Sequence, residues 1–220
     1  MFFVRKSIIF AANYNNTIFV VMKKCLVLVL SVLTMISCSN KSEQNASDAV
    51  INNILTRVSV RHFTDEKPSD EQIETMLRCA MAAPSAVNRQ PWAFIVVDDK
   101  DLLKQIGERL PNTRVQNNAQ MCFVVCGDLR AVMEGEAQEF WIHDCSAATE
   151  NLLLAAHSMG LGAVWCAMQP GKDRIATLRE ILSIPNYFIP LCVVPVGYPA
   201  EEPQVKDKWR TEKIFHNAWE

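Results

Sequence analysis

The stretch from Phe140 to Met159 constrains the fold of this chain more than any other. Ala147, Ala148, Leu152, Leu153, Ala155 and Ala156 make it apolar nearly all round, and a helix of that kind must be covered on more than one side. Gly160 and Gly162 end it. The chain supplies the covering layers as short apolar runs: Trp92 to Val97, Met121 to Cys126, Ala163 to Met168 and Ile189 to Val196 read as buried strands. Pro190 and Pro195 interrupt the last run, which predicts an edge position or a bulge. Ser69 caps a helix with Gln72 as its capping-box partner, and Ile73, Met76, Leu77, Ala80 and Met81 form its apolar face. Asp101 to Leu110 reads as a second amphipathic helix, and Asp173 as the cap of a third that runs through Leu182. No strand is followed by a G-x-G-x-x-G turn, so a doubly wound nucleotide fold loses its best support. The expected architecture is α+β or mixed α/β, with a sheet sandwiched between helices.

The N-terminal region has a different character. Met22-Lys23-Lys24 is a short basic segment, Cys25 to Ile36 is apolar, and Ser37-Cys38 places a small residue before a cysteine. This resembles a bacterial lipoprotein signal peptide, although Met35 and Ile36 depart from the usual residues. The resemblance implies translation from Met22, a lipid anchor at Cys38 and a place at the cell envelope; an unused signal would leave the protein cytoplasmic. Ser39 to Ser47 has the composition of a polar tether. The expected division is therefore 1–38 upstream residues and signal, 39–47 tether, and 48–220 folded domain. That domain opens with a helix from Asp48 to Arg57 carrying Val50, Ile51, Ile54 and Leu55.

Charge and residue patterns exclude several functions. With 22 basic and 24 acidic side chains and no basic stripe, the chain has no field for gripping nucleic acid. The 8 cysteines form no C-x-x-C pair and no Cys/His cluster of zinc spacing, so no metal is expected; Cys122 and Cys126 read as small buried thiols. His62, His143, His157 and His216 are scattered, and no Ser/His/Asp order or carboxylate pair stands out, as in an enzyme whose chemistry is carried by a cofactor. Arg57, Ser59 and Arg61 stand at alternate positions, which on an extended segment is a candidate anion clamp. In the loop Ala83 to Phe94, Pro84 and Pro91 stiffen the backbone around Ser85 and Asn88. From Tyr198 onward the tail has charges and two tryptophans without a clear period, like an arm that lies on another surface.

In combination, R-x-S-x-R (Arg57, Ser59, Arg61), P-S-x-x-N-x-Q-P-W (Pro84 to Trp92), the long helix running into G-L-G (Gly160 to Gly162) and G-Y-P-A-E-E-P (Gly197 to Pro203) followed by Lys206 and Lys208 resemble the nitroreductase family of flavin enzymes. The resemblance covers nearly all of Val50 to Glu220. It implies an α+β three-layer sandwich with a central mixed sheet flanked by helices, and a homodimer holding FMN at the subunit interface. Arg57, Ser59, Lys206 and Lys208 would hold the FMN phosphate, and Arg61 would stand at the pyrimidine side of the ring. Pro84, Ser85 and Asn88 would come from the partner. Cys166, Ala167 and Met168 would lie along the flavin, with a backbone N–H near Ala167 facing N5; many relatives carry glutamate and glycine where this chain has Ala167 and Met168. The implied activity is transfer of hydride or electron pairs from NADH or NADPH through FMN to nitroaromatics, quinones or similar small acceptors in a ping-pong cycle. The alternative is an envelope flavoprotein that relays electrons or carries FMN without turnover. The Asp128 to Glu139 segment is short for the lid of a flavin-dependent dehalogenase or flavin-destroying relative.

Overall fold

The computed structural model describes residues 45–219. The chain separates into two compact units, Met1–Asn52 and Asn53–Glu220. Of the first, the described residues 45–52 are helical, part of α1 (45–56), so Asn45, Ala46 and Ser47 belong to a helix and not to the tether expected there. The expectations for the signal segment and Cys38 lie outside the described residues.

In the second unit the elements follow in the order α2 (Asp70–Met81), β1 (Trp92–Val97), α3 (Lys100–Arg109), β2 (Met121–Asp128), α4 (Phe140–Ser158), β3 (Gly162–Ala163), β4 (Cys166–Ala167), α5 (Lys172–Leu182) and β5 (Phe188–Gly197). Local signals account for the helix starts. The Ser69 hydroxyl accepts from the Gln72 N–H while Gln72 Oε1 accepts from the Ser69 N–H, so the capping box forms as its residues require. Asp99 caps α3 by accepting from the N–H groups of Asp101 and Leu102. Asp173 does not cap α5. Gly171 is the cap residue, and Asp173 stands inside the first turn, where its negative charge complements the helix dipole.

The sheet order is β1-β2-β5-β3, with β4 also paired to β5, and all named pairs are antiparallel. The parallel contribution among the described residues is an isolated bridge between Ser59 and Ala163. Alternation along β2 divides the core into two layers. Met121, Phe123 and Val125 face Met76, Ala80, Trp141, Cys145, Ala148 and Leu152 of α2 and α4. Cys122, Val124 and Cys126 face Leu103, Ile106, Ile175 and Leu178 of α3 and α5. These are the three layers of the expected sandwich. Gly127 makes the closeness of α4 permissible, since a Cβ there would lie 2.3 Å from Cε3 of Trp141.

Of the two outcomes expected for β5, an edge position or a bulge, the structure shows the bulge in a central strand. The register between β2 and β5 shifts at Val125/Cys126, so that Cys126 faces Pro190; Leu191 and Cys192, though adjacent, both face the α2/α4 layer. On its other side, β3 and β4 keep one continuous register with β5, from Gly162 opposite Gly197 to Ala167 opposite Cys192. They are one strand broken at Val164 and Trp165, because Pro195, opposite Val164, has no N–H to donate back.

Candidate functional site

The broken strand β3/β4 forms one edge of the sheet, and the site is built along it. Met168 N–H donates to Leu191 O at 2.8 Å. Hydrogen-bonding direction alternates along an antiparallel ladder, so Ala163 and Ala167 turn their peptide groups away from β5 toward the open side. Ala163 O uses this exposure to accept from Val60 N–H at 3.0 Å, which lays the Ser59 segment against the edge. Gly162 permits that contact, because a Cβ there would lie 2.5 Å from Cβ of Val60. The N–H of Ala167 faces the same open side farther along the strand. Of the three residues expected along a ligand here, only Ala167 is exposed; the side chains of Cys166 and Met168 are buried, which leaves only their backbone to meet a ligand on this edge.

Residues 62–64 and 198–200 meet beside this edge. Thr64 N–H donates to Tyr198 O at 2.9 Å, Ala200 N–H to His62 O at 3.0 Å, and Phe63 bridges Pro199. This clasp brings residues 201–208 over residues 58–62 and encloses a cleft of about 440 Å³. Ser59, Arg61, Lys206 and Lys208 line it, together with His62, Glu201 and Glu202. Among the described residues, none of Arg61, Lys206 and Lys208 forms an ion pair. A hydroxyl and three cations without a carboxylate partner, of which Arg61 spends one Nη1 bond on Ser59 O at 3.2 Å, can receive an anion by charge-assisted hydrogen bonds. Arg57 is not part of that lining. Its Nε donates to Glu150 Oε1 of α4 at 3.0 Å.

Pro84, Ser85 and Asn88 are not in the cleft either. Pro84 and Ser85 line a separate depression of about 420 Å³ with Phe140, His143, Asp144 and Ala147. Their loop is tied down by Ala86 N–H donating to the buried Asp144 carboxylate at 2.9 Å, and by Gln90, whose N–H donates to Ser85 Oγ and whose Nε2 donates to Asn88 Oδ1. Val87 and Asn88 hold φ of 51° and 55°, and in this region a β-branched side chain such as Val87 is strained.

Arg114 is a residue that the sequence did not single out. It is exposed, in the left-handed conformation with φ of 63°, directly after Thr113, whose carbonyl accepts from Cys166 Sγ at 3.1 Å. Burial pushes the Cys166 thiol up to about 11, while Arg114 and then Arg61 pull in the opposite sense, so both guanidiniums act on the β4 edge. The turn that carries Arg114 is joined to the clasp, since Asn117 Nδ2 donates to Arg61 O at 2.9 Å. Its only sequence signal was Pro111-Asn112, a turn marker whose partner lies far away in the chain.

Fold and cleft together define an α+β sandwich with a cleft lined by a hydroxyl and three cations beside one sheet edge. The Nitroreductase family matches residues 54–121 and 109–198. A protein of Methanothermobacter thermautotrophicus, provisionally named NADH dehydrogenase/NAD(P)H nitroreductase, is 41% identical over 170 residues, covering 77% of this chain and 87% of the relative. A crystal structure of a Parabacteroides distasonis protein with the same provisional name superposes with a TM-score of 0.73 at 44% identity, over 77% of this chain and 98% of the other. The NADPH:FMN oxidoreductase of Vibrio harveyi, solved in complex with NAD+, gives a TM-score of 0.70 at 26% identity over 78% of each chain. The chain belongs to the nitroreductase family.

Proposed function

We propose that this protein is an FMN-dependent oxidoreductase that draws on NADH or NADPH. The convergence of Ser59, Arg61, Lys206 and Lys208 on one cleft carries this assignment. A phosphate dianion matches that donor set, and the cleft's volume is within the range of small-molecule sites. Glu201 and Glu202 share the lining, so its net charge is small and the phosphate must be met by direct contact with the cations, not by a long-range field. The Vibrio harveyi relative, named for NADPH:FMN oxidoreduction, supports the same cofactor and donor.

When bound, FMN would supply the chemistry by accepting a hydride from the nicotinamide and passing the electrons to an electron-poor acceptor. The chain's own residues position and tune it. Ser59, Lys206 and Lys208 would hold the phosphate, and Arg57, outside the lining and paired with Glu150 through Nε, would join them through its Nη groups. Arg61, farther along the same segment, would stabilise negative charge on the bound cofactor, with Arg114 as a second cation near β4. The outward N–H of exposed Ala167 would offer a donor to a ring lying along the β4 edge, and its methyl side chain would leave room there. Pro84, Ser85 and Asn88 complete the site from the second subunit of a homodimer. The chain's main catalytic contribution would be to hold donor and acceptor in turn at the same site, a ping-pong order, with nitroaromatics and quinones as acceptors. An anchor at Cys38 would place the enzyme at the envelope, where a quinol or a redox protein becomes a competing donor.

Anaerobic stopped-flow on the FMN-loaded protein tests this. Bleaching of the flavin absorbance by NADH or NADPH, then repeated reoxidation by a nitroaromatic or quinone, is the expected outcome. Bleaching by a quinol alone would overturn the nicotinamide donor, and a single reoxidation without turnover would favour the electron relay.

A further inference from the structure

One stripe of α4 holds the segment that leads into the cleft. Glu150, Leu154 and His157 stand at i, i+4 and i+7, on one side of the helix. Each meets a polar group from residues 53–57. Asn53 Nδ2 donates to Leu154 O at 3.1 Å, Thr56 Oγ1 lies 2.9 Å from His157 Nε2, and Arg57 Nε donates to Glu150 Oε1 at 3.0 Å. The Arg57 side chain is 19% exposed and that of Glu150 is 46% exposed. An ion pair exposed to this degree adds little to stability. Its geometry is more informative. Only Nε is engaged, and among the described residues the two Nη groups make no hydrogen bond, so the outer edge of the guanidinium fork is left for another acceptor. Arg57 is two residues before Ser59 and four before Arg61, both of which line the cleft.

We propose that Glu150 is a positioning residue for cofactor binding, fixing Arg57 through Nε so that its Nη edge is presented to the phosphate group that Ser59, Lys206 and Lys208 surround. The proposal rests on the FMN assignment. Glu150 is itself an anion and would repel a phosphate, so it acts only through Arg57. A fixed guanidinium also loses less freedom on binding than one that must be ordered at that moment.

The test compares FMN with riboflavin, which has the same ring and no phosphate, by fluorescence titration of the flavin-free protein. Glu150→Gln is expected to weaken FMN binding by about tenfold, the scale of one charge-assisted hydrogen bond, and to leave riboflavin binding unchanged. Arg57→Ala should lower FMN affinity at least as much, and the double variant no further than Arg57→Ala alone. Equal weakening of both flavins, unchanged FMN binding, or additive losses in the double variant would overturn the proposal while leaving the FMN assignment standing. A wild-type protein that binds neither flavin would overturn both. If Glu150→Gln does not fold, Glu150→Asp, which keeps the charge but retracts it, is expected to show the same selective loss.

Discussion

At the scale of single residues, Gly162 joins fold to site. Its missing side chain lets Val60 lie against β3, so Gly162→Ala should force the Ser59–Arg61 segment off the sheet edge. The expected cost is about 1–3 kcal/mol of stability, as for an overpacked core. A thermal melt combined with FMN titration checks it, and FMN binding should fall together with the melting temperature. The cysteines give a second check. Burial pushes Cys122, Cys126 and Cys192 up to about 12 and Cys166 up to about 11, and raises Cys145 as well, whereas Cys79 is only half-buried. A thiol needs both exposure and thiolate character to react. A native protein beginning at Ser39 should therefore label at Cys79 alone with a thiol reagent at pH 8, and at all six described cysteines once unfolded. Single-residue roles are also where the sequence was least legible. That Cys166 and Met168 turn inward while Ala167 faces out depends on the register against β5, and the meeting of Arg114 with the β4 edge depends on a turn joined to Arg61 across more than fifty residues.

At the scale of elements, α4 has two functions: its apolar faces close the core and its Glu150–His157 stripe holds residues 53–57. Burial, and next the nearby Arg57 charge, hold the His157 imidazole below its usual 6.5. A histidine with a depressed folded value takes up its proton more readily when unfolded, so its contribution is complete above about pH 6.5 and is lost as pH falls toward the folded value. His157→Gln should therefore show a shallower fall in melting temperature between pH 7.5 and pH 5 than the wild type; an identical slope would exclude His157 as a source. Signals contained within a few residues were legible from the sequence, as the Ser69–Gln72 capping box and the all-round apolar α4 demonstrate. The prolines of β5 were legible as interruptions. The bulge they predict is present at Val125/Cys126, but the break opposite Pro195 was not legible, because a central strand tolerates Pro195 only where a neighbour, here Val164, forgoes one hydrogen bond.

At the scale of the whole molecule, large apolar side chains remain exposed outside the core. Ile54 and Leu55 are 54% and 69% exposed, and along the C-terminal arm Trp209 and Trp219 are 67% and 83% exposed, with Phe215 stacked on Trp219 at 4.3 Å. Surfaces of this kind need cover, and a second copy of the chain is the cover expected of a nitroreductase. Light scattering should give twice the chain mass, and Leu55→Glu should shift the protein toward monomer; if the Pro84–Asn88 loop completes the partner's site as proposed, FMN should be lost with it. The cleft was legible as two basic clusters at opposite ends of the chain. The clasp of residues 62–64 with 198–200 that joins them was not, because its hydrogen bonds are between backbone groups and leave no residue signature. The most direct measurement of the central claim is the absorption spectrum of the purified protein, followed by release and identification of its chromophore. Flavin bands with FMN near one per chain are expected. A colourless protein that takes up no added FMN would contradict the account, and the cleft would then need another anion.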